Sequence, residues 1–147
     1  MGADRFELTE RESQALLQGE SIGRLCLIDH GYPLAIPISY SITHNDAGGA
    51  TRVVIRTAPE TMLGRYEGLA SLEVDSIDLD AGVAWSVIVR GVLSRVIGTF
   101  ELPDPKPLLT EGRHRWMALD IRAITGRRFL VNRASDGFAV DWQLTSA

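Results

Sequence analysis

Arg56 and Thr57 are the residues whose types and spacing point most clearly to chemistry. They end the apolar, β-branched run 53–57, where a strand is expected to give way to a helix-like segment. A guanidinium can donate two parallel charge-assisted hydrogen bonds, and the Thr61 hydroxyl adds another donor. A helix beginning near Glu60 would add free amides and a favourable dipole. The pattern indicates an anion, such as a phosphate, at a sheet edge. A solvated arginine at a strand end is an equally good interpretation.

A second segment, residues 85–91, is also apolar and carries polar side chains at defined places. Trp85, Ser86 and Val87 lie near the start of the longest β-prone run, in which Gly91 predicts a bend or bulge. Apolar strands with few polar groups suit a flat ring whose polar atoms need only a few fixed partners. For Trp85, packing in the core is the alternative interpretation.

The motifs of several other chemistries are absent from the sequence. It has neither the glycine-rich loops of nucleotide-binding proteins nor the Gly-x-Ser-x-Gly turn of hydrolases. His30, His44 and His114 lie far apart, so no metal site is predicted. The acidic segment 73–80 lacks the glycine turn and terminal glutamate of a calcium loop. We interpret it as a solvated strand-to-loop edge.

Composition limits the class of protein. The 147 residues are 45% hydrophobic and 23% charged, which predicts one globular domain over residues 1–147. The net charge of −4 argues against a nucleic-acid partner. No apolar stretch is long enough to cross a membrane, so no membrane partner is expected. The single cysteine, Cys26, cannot form an internal disulfide, which fits a cytoplasmic protein.

The predicted elements begin with a short helix. Thr9 and Glu12 form a capping box, and Gly19 is placed to end the helix. Pro33 and Pro37 confine the second strand to a sheet edge or a bulge, because proline cannot donate to a ladder.

The remaining pattern is mostly β. We predict strands over 22–28, 34–40, 52–57, 71–75, 84–97 and 116–121, a second helix over 60–66, an acidic loop over 76–82, a stiff connection at the prolines 103, 105 and 107, and a tail from 124 that ends near Trp142. Because regular βαβ alternation is missing, the order favours a closed or partly open antiparallel barrel with flanking helices.

In this order the segments resemble the pyridoxamine 5′-phosphate oxidase-like family of FMN-binding split-barrel proteins, and its small bacterial branch in particular. The order and spacing are specific for the family, but not for a substrate. The segments that carry the resemblance lie between residues 16 and 128 and are Gly23-Arg24-Leu25, 33–40, Arg56-Thr57, Glu73-Val74-Asp75, 85–91 and Gly126-Arg127-Arg128.

The resemblance implies a mainly β split barrel that forms a homodimer, with FMN in a groove at the subunit interface. In similar proteins the second strand contacts the isoalloxazine ring, the end of a later strand and the next segment hold the phosphate, the long strand borders the polar edge of the flavin, and a basic pair lies near the cofactor or the interface. The positions that match the ring contacts are Pro37, Ile38, Ser39 and Tyr40, and those that match the phosphate contacts are Arg56, Thr57, Thr61 and Met62. The residues of the long strand are Trp85, Ser86 and Val87, and the basic pair is Arg127 and Arg128.

One position departs from the family pattern. Family members commonly carry a lysine where this chain has Met62. Loss of a charged hydrogen bond costs about 1.5–3 kcal/mol, or roughly one to two orders of magnitude in affinity. A deazaflavin or haem therefore stays open as an alternative to FMN.

The leading functional hypothesis is a flavin-dependent oxidoreductase that acts on an unidentified small substrate. No general acid or base is assigned: Tyr40 is a candidate for that role, but packing in the core or at the interface is the favoured interpretation of this residue. A dimer that binds, stores or senses a flavin without turnover is the second hypothesis. An interaction dimer whose pocket no longer binds a cofactor is the third.

Overall fold

The computed structural model describes residues 6–98, 101–107, 112, 114–134 and 137–140, with 132–134 and 137–140 described at the level of the backbone. The described part is mostly β with one α-helix, where the sequence predicted two helices. No helix in that part is long and apolar enough to span a membrane. The elements in chain order are β1 (Glu7–Leu8), α1 (Glu10–Gln18), β2 (Ile22–Asp29), β3 (Tyr32–Ser39), β4 (Ser41–His44), β5 (Ala50–Thr57), a 3₁₀ turn (Leu63–Arg65), β6 (Gly68–Asp78), β7 (Val83–Arg95), β8 (Arg115–Ala134) and β9 (Gly137–Val140).

Helix α1 begins and ends where the sequence predicts. The Thr9 hydroxyl oxygen accepts a hydrogen bond from the amide of Glu12 at 3.1 Å. The same hydroxyl donates to the Glu12 carboxylate at 3.0 Å. Gly19 closes the last turn with its amide. Leu17 is fully buried, so the helix is held by packing against the sheet as well as by its caps.

The strands form an antiparallel sheet in the order β3-β2-β6-β7-β8-β5-β4, with β1 and β9 paired to β8. The edge strands β3 and β4 are joined by one residue, Tyr40, so the sheet must curl until its two edges approach each other. The sheet is not closed, which makes the fold a split barrel as predicted. The position of β3 at the edge confirms the interpretation of Pro33 and Pro37.

The core lies inside the curl of the sheet. Alternate residues of each strand point inward, and they are mainly leucine, valine and isoleucine. At Gly91 the register of β7 and β8 shifts, as the sequence predicts. A Cβ at Gly91 would lie 2.0 Å from the carbonyl oxygen of Asp120, so only glycine fits there. The largest fully buried side chains are Leu17, Leu25, Ile55, Leu72, Leu93, Met117, Leu119, Val53, Val54, Val74, Val87 and Val89.

Three predictions about elements are wrong. The helix over 60–66 is only the 3₁₀ turn Leu63–Arg65. Strand β6 continues to Asp78, so the acidic loop over 76–82 is shorter than predicted. The stretch from 124 belongs to β8, where it pairs with β7 up to residue 130, instead of opening a tail. Trp142, where that tail was predicted to end, lies outside the described residues.

Candidate functional site

A cleft of about 440 Å³ opens between edge strand β3 and the end of β5. Its size lies within the usual range for a small-molecule site. Most of its wall is apolar, and the one ionisable side chain among the described lining residues is Arg56. The lining residues are Ile22, Ile36, Pro37, Ile38, Ser39, Arg56, Thr57, Thr61, Met62, Leu63 and Pro107.

Arg56 is the cationic side chain that lines this cleft. It leaves β5 opposite Trp116 of β8, and its guanidinium carbon lies 5.2 Å from the centre of the Trp116 ring. Its Nη1 donates to both carboxylate oxygens of Asp104, at 3.1 and 3.2 Å. The Arg56 side chain is 21% exposed, so the ring and the carboxylate hold a cation that solvent still reaches.

The hydroxyls of Thr57 and Thr61 hold the turn that follows β5. Thr61 donates to the carbonyl of Ala58 at 2.7 Å and accepts from the amide of Gly64 at 3.1 Å. Its one hydroxyl hydrogen is thus used, which makes Thr57 the donor in the 3.0 Å contact between the two hydroxyls. Both residues line the cleft as the sequence predicts, but their hydroxyls fix its shape.

The turn after β5 offers no helix N-terminus to an anion. Its 3₁₀ segment has three residues, so the dipole that we expected near Glu60 does not form. A Cβ at Gly64 would lie 2.4 Å from the Ala58 carbonyl oxygen, and the tight turn therefore requires glycine. Arg115 supports the same turn by donating to the Gly64 carbonyl at 2.9 Å. Met62 lines the cleft and packs against the core.

Strand β3 supplies the opposite wall through Pro37, Ile38 and Ser39. Tyr40, predicted to stand with them, is instead 4% exposed and belongs to the core. Its hydroxyl donates to the carbonyl of Leu17 at the end of α1. The structure therefore does not bring the Tyr40 hydroxyl into the cleft, and core packing is the reason.

The predicted residues of β7 and β8 lie away from this cleft. Val87 is fully buried and Trp85 packs against the core. Ser86 and Arg127 face each other across the two strands and line a second groove of about 500 Å³. Arg128 is exposed, and its amide donates to the carbonyl of Phe6 at 2.7 Å. A single chain thus does not unite these five residues with Arg56.

A charged network on the outer face of the sheet was missed at the sequence level. Arg24 Nε donates to Glu73 at 3.0 Å, and Arg24 Nη2 donates to Asp75. Ser86 donates to the other oxygen of Glu73 at 3.1 Å. Glu73 and Asp75 are therefore not a solvated edge. The sequence feature that could have predicted the network is the spacing of the two carboxylates, two residues apart on one face of β6, opposite an arginine on β2.

The two carboxyl groups of this network have pKa values shifted in opposite directions. Burial and a hydrogen bond with Asp75 raise the pKa of Glu73 above its usual value, against the opposing effects of Ser86 and Arg24. Burial also acts to raise the pKa of Asp75, but hydrogen bonds with Glu73 and Arg24 outweigh it and hold that pKa low. When this pair takes up a proton as the pH falls, the two shifts therefore favour Glu73 over Asp75 as the site.

No group of three or more histidine, cysteine or acidic side chains suitable for a metal ion occurs in the described ranges. The sequence analysis predicted no metal site for His30, His44 and His114.

Asp104, which holds Arg56, was also missed at the sequence level, because it lies in the proline-rich connection far from Arg56 in sequence.

The sequence pattern of the pyridoxamine 5′-phosphate oxidase family matches residues 9–128. This chain belongs to that family. No protein with a curated function matches it. The family assignment confirms the resemblance drawn from the segments between residues 16 and 128.

Solved structures of similar fold include family members and flavin-binding proteins. A pyridoxamine 5′-phosphate oxidase candidate from Corynebacterium glutamicum is 25% identical, with a TM-score of 0.68 over 87% of this chain and 95% of that one. An FAD-binding protein from Mycobacterium smegmatis is 26% identical, with a TM-score of 0.64 over 84% and 96%. An FAD- and haem-binding protein from M. smegmatis, 16% identical with a TM-score of 0.58 over 90% and 82%, shares the fold.

Proposed function

We propose that this family member binds FMN in the cleft between β3 and β5 and uses it as an oxidoreductase on a small substrate. The observation that carries the proposal is the cleft itself. It places Arg56 in the lining of an apolar slot, one wall of which is an edge strand. A flavin mononucleotide has the matching chemistry, a flat ring at one end and a phosphate at the other.

The phosphate end of the ligand is assigned to Arg56. Charge-assisted hydrogen bonds from a guanidinium to phosphate are among the strongest polar contacts available to a protein. The stacking of Arg56 on Trp116 restricts the guanidinium before the ligand arrives. With Met62 in the position of the family lysine, Arg56 is the one cationic side chain among the described lining residues.

The ring end of the ligand is assigned to β3. An edge strand leaves one row of backbone groups outside the ladder. Pro33 and Pro37 cannot donate, so their positions are expected to face the open edge. Ser39 lies two residues after Pro37, and backbone groups of a strand alternate in direction, so the Ser39 amide points to the same open edge. Backbone groups at this edge are suited to the few polar atoms of a flavin ring.

Hydride chemistry would be supplied by the flavin when bound, and the chain's residues would orient it and exclude water. The described lining contains no histidine, cysteine, tyrosine or carboxylate to act as a general acid or base. That observation favours the second candidate, a protein that binds, stores or senses a flavin without turnover. Rapid oxidation of the bound, reduced flavin by a specific organic acceptor supports an enzyme, whereas reaction with oxygen alone supports a binding protein.

The identity of the flavin is part of the proposal. The similar mycobacterial protein is named for FAD binding. Both FMN and FAD carry the phosphate group that Arg56 would hold, so both belong in a test. Deazaflavin and haem stay as alternative ligands.

A homodimer completes the proposed site. Ile22, Ile28, Leu69 and Ile77 are exposed on the outer face of β2 and β6, the face opposite the core. They lie at both ends of the two strands, on either side of the network of Arg24, Glu73 and Asp75. Exposed apolar side chains around a charged centre on one sheet face are consistent with a surface that a partner covers. Because Ser86 and Arg127 line a groove on this face, a second copy could bring its own pair toward the cleft of the first.

The test is a flavin titration of purified protein, followed by absorbance and fluorescence. We expect Arg56→Ala to weaken FMN binding by at least about tenfold, because one charged contact to phosphate is lost. Binding of riboflavin, which has no phosphate, should change little. The matched control is Arg52→Ala, which removes an exposed arginine from the same strand, paired with Asp120 at 3.1 Å.

Two results would contradict the proposal. Equal FMN affinity in wild-type protein and Arg56→Ala removes Arg56 from the phosphate site. If wild-type protein binds haem but no flavin, the proposal that the cofactor is a flavin is wrong.

A further inference from the structure

Residues 101–107, here called the proline strap, reach the cleft at Asp104 and Pro107. Hydrogen bonds to β4 and β5 hold the strap to the barrel. Ser41 of β4 donates to the carbonyl of Pro103 at 2.6 Å. Arg56 of β5 donates to both oxygens of Asp104. Pro107 lies in the lining of the cleft. The strap therefore touches both the anion-binding arginine and the cleft wall.

The contact between Asp104 and Arg56 has the chemistry of the proposed ligand contact. The Asp104 carboxylate accepts from Nη1 of the guanidinium, a donor that a phosphate would also use. Asp104, like any ordinary aspartate, is ionised at neutral pH, and hydrogen bonds from the Lys106 amide and from Arg56 lower its pKa further. The Asp104 side chain is about half exposed, so it can leave Arg56 for solvent without crossing the core.

The strap keeps this carboxylate in place at low entropic cost. Prolines at 103, 105 and 107 fix alternate φ angles, and the segment has few conformations to lose. The Lys106 amide donates to Asp104 Oδ1 at 2.9 Å and orients the carboxylate locally. Asp104 is thus delivered to Arg56 at a high effective concentration.

We propose that Asp104 is a built-in competitor for the anion site: a phosphate group that takes the Nη1 hydrogen bonds of Arg56 must displace Asp104, and this displacement frees the proline strap from Arg56. The inference rests on the proposed function where the anion is that of FMN. The inference adds that Asp104 lowers the affinity for the anion, because its carboxylate pairs with Arg56 in the free protein.

The first experiment compares FMN affinities of Asp104→Asn and Glu101→Gln with that of wild-type protein. Asparagine keeps an oxygen for the Lys106 amide but loses the charge that holds Arg56. We expect Asp104→Asn to bind FMN about two- to fivefold more tightly, since a partly exposed ion pair is removed as competitor. Glu101→Gln removes the same charge from the same strap without touching Arg56, and should leave the affinity near the wild-type value. This control separates local competition from the general loss of negative charge.

The second experiment needs no flavin. Amide hydrogen exchange of the four non-proline strap residues (Glu101, Leu102, Asp104 and Lys106) is measured in wild-type protein with and without inorganic phosphate, and in Asp104→Asn. We expect phosphate to speed exchange in the strap of the wild-type protein, because release of Asp104 frees the segment. Asp104→Asn should already show the faster exchange without phosphate.

The outcomes separate the two proposals. If FMN binds wild-type protein and Asp104→Asn binds it equally or more weakly, the competitor role is wrong and flavin binding stands. If no flavin binds but phosphate loosens the strap, the competitor role stands and the proposed cofactor is wrong. If neither ligand has an effect, both proposals are wrong.

Discussion

At the scale of single residues, Glu73 and Asp75 act together, because both belong to one hydrogen-bonded network with Arg24. Both oxygens of Glu73 are engaged, one by Arg24 and one by Ser86. The network ties β2, β6 and β7 together on the outer face, beside Pro37, which faces Arg24 across β2 and β3. It therefore adjoins the cleft without lining it, and its first expected effect is on stability.

The raised pKa of Glu73 predicts a definite pH dependence. Between the ordinary pKa of glutamate, near 4.5, and the higher value in the folded protein, the folded state binds more protons than the unfolded state. The free energy of unfolding must then fall as the pH rises through this window. Glu73→Gln cannot titrate and should remove that fall. Urea unfolding at a series of pH values above 4.5 measures it, and avoids the opposite effect of Asp75, whose lowered pKa matters at more acidic pH.

Ser86→Ala is the informative companion variant. The Ser86 hydrogen bond lowers the pKa of Glu73, so its removal should extend the window to higher pH. The account of the network is refuted if Glu73→Gln and wild-type protein lose stability in parallel over this range.

At the scale of elements, Tyr40 connects the helix to the barrel. Its hydroxyl donates to the Leu17 carbonyl, one of the last carbonyls of α1, which have no partner within a helix. Tyr40→Phe should lower the free energy of unfolding by about 1–3 kcal/mol, the cost of leaving a buried acceptor without a partner. Tyr66→Phe is the matched control, because Tyr66 donates to the Leu69 carbonyl at 2.6 Å in an exposed setting. That change should cost less than about 0.5 kcal/mol. Equal losses in urea unfolding would show that the buried hydroxyl has no special role.

Local signals in the sequence predicted the elements that local contacts determine. The capping box at Thr9 and the edge position of the prolines in β3 each depend on a few neighbouring residues. The length of β8 was not predictable in this way, because it depends on pairing with β7, β5, β1 and β9 at once. The helix over 60–66 failed for a related reason. Gly64 packs against the Ala58 carbonyl, and Arg115 from a distant strand holds the turn.

The predicted site residues likewise fall into those that the sequence placed correctly and those that it did not. The residues of β3 and β5 that were named from the sequence meet in one cleft, apart from the buried Tyr40. The residues of β7 and β8 lie elsewhere in the single chain. Asp104 could not be found from the sequence, since nothing local pairs it with an arginine 48 positions away. The functional roles of these residues, and the extent of one domain over 1–147, stay predictions.

At the scale of the whole molecule, the outer face of the sheet predicts self-association. Leu69 is 77% exposed among the apolar residues of that face, whereas Ile97 is 83% exposed and lies beyond the end of β7. We expect wild-type protein and Ile97→Glu to be dimers by light scattering, and Leu69→Glu to be a monomer, because a buried charge at an interface is costly. If the cofactor groove needs both chains, Leu69→Glu should also bind FMN more weakly. A monomeric wild-type protein, or a Leu69→Glu dimer, would contradict this arrangement.

The most direct measurement of the central claim is a crystal structure of the protein with FMN. The account predicts the phosphate within about 2.7–3.2 Å of the Arg56 guanidinium, the ring beside Pro37, Ile38 and Ser39, and the Asp104 carboxylate displaced. A structure in which Arg56 still holds Asp104 while the flavin lies elsewhere, or does not bind at all, would contradict it.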